Sequence, residues 1–256
     1  MEVCSIASGS SGNCVYVGSG DTHLLIDAGI SGKRIEEGLS SIGVDKNGLS
    51  AILLTHEHSD HIQGVNVLAK RYHLPVFGTK ATLHAALQPI VSNCPICPEQ
   101  CFTIGQITVR SFSVSHDALD PICYTLEDKE HKIGIVTDLG MYDTNILRHL
   151  EGSELLYVEA NHDVNMLLVG KYPYPLKQRI LGDRGHLSND STAKLVCELQ
   201  YDGLKQIILA HLSKENNYAQ LAYETVRVEV EQNWRSKVIP NIEVANRNCP
   251  SKLISL

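Results

Sequence analysis

The sequence predicts one globular domain that mixes strands with helices and gathers polar side chains along a sheet edge. Three observations predict it. Apolar runs of strand length alternate with helix-length segments along the chain. Six of those runs end in a metal-competent side chain: Asp27, His56, His116, Asp138, Glu159 and His211. One of these ends opens into His56-Glu57-His58-Ser59-Asp60-His61, which puts four ligand-type side chains within six residues. Sheets with helical crossovers place their sites outside such strand ends.

The elements follow in order. Val3 to Ile6 reads as a first strand, and Ser8-Gly9-Ser10-Ser11-Gly12-Asn13 as a small-residue turn. Strands 15–17 and 23–26 are joined by Gly18-Ser19-Gly20-Asp21, a hairpin signal. The second ends in Asp27-Ala28-Gly29, and a buried strand ending in a carboxylate aims it at a partner. Residues 31–43 read as an amphipathic helix ending at Gly43. Ala51-Ile52-Leu53-Leu54 is a buried strand that enters the histidine-rich loop. A helix follows from Ile62 to about Tyr72. Residues 75–78 read as a short strand and 80–88 as a helix. Cys94, Cys97 and Cys101 pose a choice between a structural zinc knuckle and a proline-rich loop with free thiols.

Residues 107–114 alternate as a strand does and run into Ser115-His116-Asp117. Strands 122–126 and 132–136 flank a charged turn, and the latter ends in Thr137-Asp138. Strand 155–158 ends in Glu159-Ala160-Asn161-His162-Asp163. Gly185-His186-Leu187-Ser188-Asn189-Asp190 precedes a helix over 191–200, capped by Asn189 or Asp190. Strand 206–210 ends in His211; a long helix over 217–233 and a final strand over 241–244 complete the chain. There is no repeat, low-complexity tract or linker.

Composition narrows the class. The 256 residues suffice for a sizeable core. No apolar run approaches the roughly 18 residues of a membrane span, and the N-terminus lacks the features of a signal peptide. Eight scattered cysteines in a chain of this length fit reduced thiols in a cytoplasm. The formal charge is −7, so an anionic substrate must be captured by local cations or by metal.

Imidazole and carboxylate ligands suit zinc, manganese or iron. His56 and His58, two apart on extended chain, face one side together and grip one ion. Asp60 and His61 enter the helix on another vector and suit a second. The plain alternative is a solvated loop with helix-capping residues. His23, His73, His84, His131 and His149 read as surface or core filler.

Asp27, the His56-x-His58-x-Asp60-His61 motif, His116, Asp138 and His211 resemble, in order and in strand-end context, the metallo-β-lactamase fold superfamily, over about residues 3 to 244. That resemblance implies an α+β fold, a four-layer αβ/βα sandwich of two mixed β-sheets with helices on the outer faces. It implies that His56, His58 and His116 hold one metal, that Asp60, His61 and His211 hold the other, and that Asp138 bridges them. Asp27 then orients the loop from behind. The Ser8–Asn13 turn, Glu159-Ala160-Asn161-His162-Asp163 and Gly185-His186-Leu187-Ser188-Asn189 look like the YycJ/WalJ-type branch, bacterial cytoplasmic proteins regarded as 5′-to-3′ DNA exonucleases. The inserted cap domain of larger nucleases in that group has no counterpart here.

The implied activity is phosphodiester hydrolysis by a hydroxide bridging two divalent ions, zinc or manganese, with iron also compatible. Asp60 and Asp138 serve the metals and anchor the nucleophile. His186 or His162 donates to a phosphate oxygen or protonates the leaving group. Ser188 and Asn189, at a helix N-terminus, cradle phosphate. Lys171, Lys177, Arg179 and Arg184 against Asp183 give a net +3 segment, in which Lys177 and Arg179 would contact the strand and Tyr172 and Tyr174 would stack on bases. Ser10 and Asn13 are further substrate contacts. The expected partner is DNA, with RNA open and no membrane. The competing function is hydrolysis of a small thioester, lactone or β-lactam on the same fold.

Overall fold

The computed structural model describes residues 1–89 and 91–256. These fall into two compact units: residues 1–113, 118–131 and 246–256, and residues 114–117 with 132–245.

The first unit opens with β1 (Glu2–Ala7), β2 (Cys14–Ser19), β3 (Thr22–Ile26), α1 (Gly32–Ser41) and β4 (Leu49–Leu53). It continues through α2 (Ser59–Ile62), α3 (Val65–Tyr72), β5 (Val76–Thr79), α4 (Lys80–Ala86), β6 (Asn93–Ile96), β7 (Cys101–Ile104), β8 (Ile107–Ser113) and β9 (Ile122–Glu127). One mixed sheet runs in the order C-terminal strand Ile254–Ser255, β1, β2, β3, β4, β5, β6. Its β1–β2–β3 side is antiparallel and its β3–β4–β5–β6 side is parallel. The hairpin signal at 18–21 is thus the β2–β3 turn. β7, β8 and β9 form an antiparallel ladder. Helices supply the crossovers that parallel strands require. The core under them includes Ile6, Tyr16, Leu25, Ile35, Leu39, Ile52, Leu54 and Leu68. Each such aliphatic side chain contributes roughly 1.5–3 kcal/mol on burial.

α1 is capped where the sequence changes character. The Ser31 hydroxyl accepts from the Arg34 N–H, and Gly43 beyond the last turn takes φ +78°. The helix expected over 62–72 is instead two, α2 and α3. Gly64 separates them because its N–H donates to the Ala28 carbonyl, 2.7 Å away, and a Cβ there would lie 2.4 Å from the Ile30 carbonyl oxygen.

The 94–101 region is a second correction. Cys94 lies in β6, paired in parallel with β5, and Cys101 lies in β7, paired with β8. Among the described residues, no cluster of three metal-competent side chains includes a cysteine. The zinc knuckle does not form, and neither is the segment simply a loop.

The second unit contains β10 (Lys132–Val136), α5 (Thr144–Leu150), β11 (Leu155–Glu159), α6 (Val164–Val169), α7 (Tyr174–Leu181), α8 (Asn189–Glu198), β12 (Gln206–Ala210), α9 (Ala219–Asn233) and β13 (Asn241–Val244). β10, β11, β12 and β13 are parallel throughout. β11 and β12 are buried at every position, the pattern of strands covered on both faces. α8 and α9 bury Leu195, Val196, Val226 and Val230. No helix among the described residues is long and apolar enough to cross a membrane.

Candidate metal centre

In the first unit, the carboxyl end of β4 runs into the loop that carries the histidine motif, beside the carboxyl end of its parallel neighbour β3. The chain turns sharply at Asp27, whose φ of +60° is a left-handed conformation seldom taken by residues other than glycine, asparagine or aspartate. The turn brings the Asp27 carboxylate beneath the loop. Its Oδ1 accepts from the Thr55 N–H at 2.9 Å. Its Oδ2 accepts from the Thr55 hydroxyl at 2.8 Å and from Nδ1 of His61 at 2.7 Å. With its own O–H donated to Asp27, the Thr55 hydroxyl oxygen accepts from Nδ1 of His56 at 3.0 Å. One buried carboxylate thereby places the ring protons of both His56 and His61 on Nδ1, and each Nε2 carries a lone pair.

The rings converge. The His56 centroid lies 4.6 Å from that of His58 and 4.1 Å from that of His61. Asp60 Oδ2 lies 3.6 Å from Nε2 of His61. Asn13, expected to contact substrate, is buried and committed to this cluster. Its Oδ1 accepts from the Gly9 N–H at 2.8 Å, and its Nδ2 lies 3.1 Å from Nε2 of His61 and 3.4 Å from Asp60 Oδ2. The backbone is joined as closely: Asn13 N–H donates to the Asp60 carbonyl and Gly29 N–H to the Asn13 carbonyl. Gly29 is required there, because a Cβ would fall 1.6 Å from the Asp60 carbonyl oxygen.

In the second unit, metal-competent side chains come from the segment around His116, from the turn before α8 and from the ends of β10, β11 and β12. Asp138 and His211 also adopt left-handed backbone, at φ +58° and +53°. Strained conformations of this kind persist where surrounding structure holds them and concentrate at functional sites. Oxygen and nitrogen atoms of Asp138, Glu159, His186 and His211 lie within 4.8 Å of one another. Asp138 Oδ1 is 3.2 Å from Nδ1 of His211 and 3.9 Å from Nε2 of His116. His116 donates from Nδ1 to the Gly185 carbonyl at 3.0 Å. His186 and His211 both donate from Nδ1 to Glu159 Oε1 at 2.8 Å. The neutral rings of His116 and His211 keep a lone pair on Nε2.

Glu159 is the residue whose role the sequence did not disclose. It is fully buried, and its other oxygen accepts from the N–H groups of Leu139 and Leu187. Burial pushes its pKa up, but His186 and His211 outweigh that and hold it below the usual carboxylate range. Burial likewise lowers His186, yet Glu159 lifts it above an ordinary imidazole. His116 is lowered, chiefly by burial, and is a neutral imidazole at pH 7, the form a metal takes.

Other expected substrate contacts are placed differently. Asn189 is buried inside the first turn of α8. Its side chain pairs with Asn217, and its N–H donates to the His162 carbonyl. It does not present itself to phosphate. The cap is Ser188, not Asn189 or Asp190; its hydroxyl accepts from the Ser191 N–H at 3.1 Å. Lys177 donates to the Leu168 carbonyl at 2.7 Å, and Arg179 pairs with Asp117, so both cations are already engaged. Ser10 is exposed on its turn.

His162 is 1% exposed, and neither ring nitrogen has a hydrogen-bond partner among the described residues. Burial lowers its pKa from 6.5 to about 4. The unfolded chain thus takes up a proton there before the fold does. Its contribution to stability is fully present above about pH 6.5 and is lost as the pH falls toward about 4, a gap worth about 3 kcal/mol. Urea unfolding of the metal-free protein between pH 7 and pH 4 checks this. His162→Gln should flatten the acid decline by about 2–3 kcal/mol, and parallel wild-type and variant curves would refute it.

Two mixed β-sheets flanked by helices, with histidine and carboxylate clusters at strand ends, define a metallohydrolase-type protein. Residues 22–212 match the Beta-lactamase superfamily domain, and the chain belongs to that family. It is 40% identical to Exodeoxyribonuclease YycJ of Bacillus anthracis over 233 residues, covering 89% of this chain and 88% of that protein. It is 40% identical to Exodeoxyribonuclease WalJ of Streptococcus pneumoniae over 228 residues, covering 86% and 85%. Among solved structures, the metallo-beta-lactamase fold protein YhfI from Bacillus subtilis matches with a TM-score of 0.72 and 18% identity, covering 98% of both chains, a likeness of fold.

Proposed function

We propose that this protein is a metal-dependent exodeoxyribonuclease that degrades DNA from its 5′ end, in the cytoplasm. One observation carries the metal chemistry: four of the proposed ligand histidines, His56, His61, His116 and His211, each have Nδ1 bonded to an oxygen, which leaves Nε2 for a cation. The substrate class is supported by relatives called exodeoxyribonuclease that align over nearly the whole chain. The compartment is supported by eight free cysteines, the condition of a reducing environment.

His56, His58, Asp60, His61, His116, Asp138 and His211 are the ligands of two divalent cations, zinc or manganese. Such cations polarise a phosphoryl oxygen and bring the pKa of water toward neutrality. Asp27 and Glu159 fix ring tautomers. Glu159 holds His186 by Nδ1 and lifts its pKa, which favours the doubly protonated ring whose Nε2–H would be donated to the leaving oxygen.

The test uses 5′- and 3′-end-labelled DNA and RNA with manganese and with zinc. Release of label as mononucleotide from the 5′ end of DNA is expected, with loss of at least about 10³-fold on His58→Ala. Intact turnover by that variant removes metal catalysis. Faster turnover of a thioester, lactone or β-lactam than of DNA replaces the nuclease reading.

A further inference from the structure

A cavity of about 520 Å³ opens in the first unit beside the histidine loop. Its walls include Ser10, Ser11, Ser59, Asp60, Ile62 and Gln63. That volume lies within the range of small-molecule sites. Its chemistry is distinctive for a protein expected to handle an anionic polymer: no lysine or arginine lines it, and its single charged group is the Asp60 carboxylate. A phosphate gains nothing from such walls. What the walls offer is neutral hydrogen bonding together with one apolar face, that of Ile62.

The hydrogen-bonding groups are available. The hydroxyls of Ser10, Ser11 and Ser59 and the amide of Gln63 belong to exposed residues, and none of them is bonded to another protein group among the described residues. Asn66, which also borders the cavity, contrasts with them. Its Nδ2 donates to the Ala86 carbonyl and its Oδ1 accepts from the Gln88 N–H, both at 2.8 Å, so it serves as wall. The cavity floor is held rigid by the backbone bonds among Asn13, Gly29 and Asp60. A rigid floor with uncommitted donors and acceptors around it selects by shape and by hydrogen bonding.

We infer that this cavity is a nucleoside subsite, taking the base and sugar of the nucleotide next to the scissile phosphate, with Gln63 reading the base edge. The inference rests on the nuclease reading and deepens it. A glutamine amide offers one donor and one acceptor, the complement of the N6 and N7 edge of adenine, and serine hydroxyls suit sugar or base oxygens and nitrogens. Ile62 supplies the apolar surface against which the base lies.

The experiment compares the wild-type protein with Gln63→Ala, Gln63→Asn and Ser11→Ala, each loaded with manganese. Substrates are short single-stranded DNAs that differ only in the base beside the first cleaved bond, together with bis(p-nitrophenyl) phosphate, which has no nucleoside. Anisotropy of the labelled DNAs in EDTA adds a binding readout. Wild-type protein should discriminate among the four bases by at least about threefold, with adenine favoured. Gln63→Ala should bring that discrimination within about twofold, raise KM for DNA about fivefold to twentyfold, weaken binding to match, and lower the ratio of DNA to bis(p-nitrophenyl) phosphate turnover. Gln63→Asn should restore part of each. Unchanged base discrimination and KM in Gln63→Ala, or equal losses on both substrate types, overturn the subsite while leaving the nuclease reading in place. A wild-type protein that turns over bis(p-nitrophenyl) phosphate but no oligonucleotide overturns both.

Discussion

Glu159→Gln is expected to weaken metal binding by about 10- to 100-fold and to lower kcat by about two orders of magnitude or more, while costing about 2–4 kcal/mol of stability. The carboxylate is fully buried and accepts four hydrogen bonds, two ring N–H groups on Oε1 and two backbone N–H groups on Oε2. A glutamine of the same size has only one accepting oxygen. Whichever way the amide is turned, its NH₂ faces two donors, and one pair loses its acceptor.

If the ring donors lose it, His186 and His211 are no longer held with the proton on Nδ1. The His211 proton then redistributes to Nε2, the atom meant for the cation, and His186 loses the carboxylate that lifts its pKa. If the backbone donors lose it, the turns after β10 and before α8, which carry Asp138 and His186, are loosened. Both outcomes damage the cluster, so the prediction does not depend on the amide's orientation. Competition with a graded chelator measures metal affinity, and thermal unfolding in EDTA measures the fold alone. A Glu159→Gln protein that binds metal within threefold of wild type would falsify the role given to this carboxylate.

Glu159 also marks where the sequence stops being informative. It ends a strand just as Asp138 and His211 do, and that position was readable from the apolar run before it. Its function was not readable, because its four donors come from residues 139, 186, 187 and 211, whose proximity depends on the fold. The strand-end pattern carries far because it is local: a buried run followed by one polar residue places that residue at a sheet edge whatever else the chain does.

Charge patterning carries less. Lys177 and Arg179 stand in a net-positive segment, where the Leu168 carbonyl and Asp117 engage them, and nothing near them in sequence announces either partner. Element boundaries fail for a related reason. The apolar spacing after His61 is continuous across Gly64, and only the hydrogen bond to Ala28 shows why two helices form. β6 and β7 escaped because each is an edge strand of 4 residues, too short for alternation to register, and β6 carries a proline.

Asp27→Asn should produce a comparable loss in the other unit, traceable to particular bonds. Asparagine tolerates the left-handed backbone at this position, so the substitution tests the carboxylate rather than the turn. The native group accepts three hydrogen bonds, from the Thr55 N–H, the Thr55 hydroxyl and Nδ1 of His61. An asparagine oxygen in place of Oδ2 satisfies the last two weakly and turns its NH₂ on the Thr55 N–H. In the opposite orientation it strands His61. Metal affinity should fall about 10- to 100-fold, as it does when the partner behind a ligating histidine is removed.

Thr55→Val separates the two branches. It deletes the link from Asp27 to His56 and leaves the direct bond to His61. It should therefore weaken metal binding less than Asp27→Asn, and the double variant should be little worse than Asp27→Asn alone, because the threonine acts through the carboxylate. Chelator competition on the three variants measures this. Additive losses would mean that Thr55 supports His56 independently of Asp27, and the chain of bonds from His56 through Thr55 to Asp27 would lose its significance for the cluster.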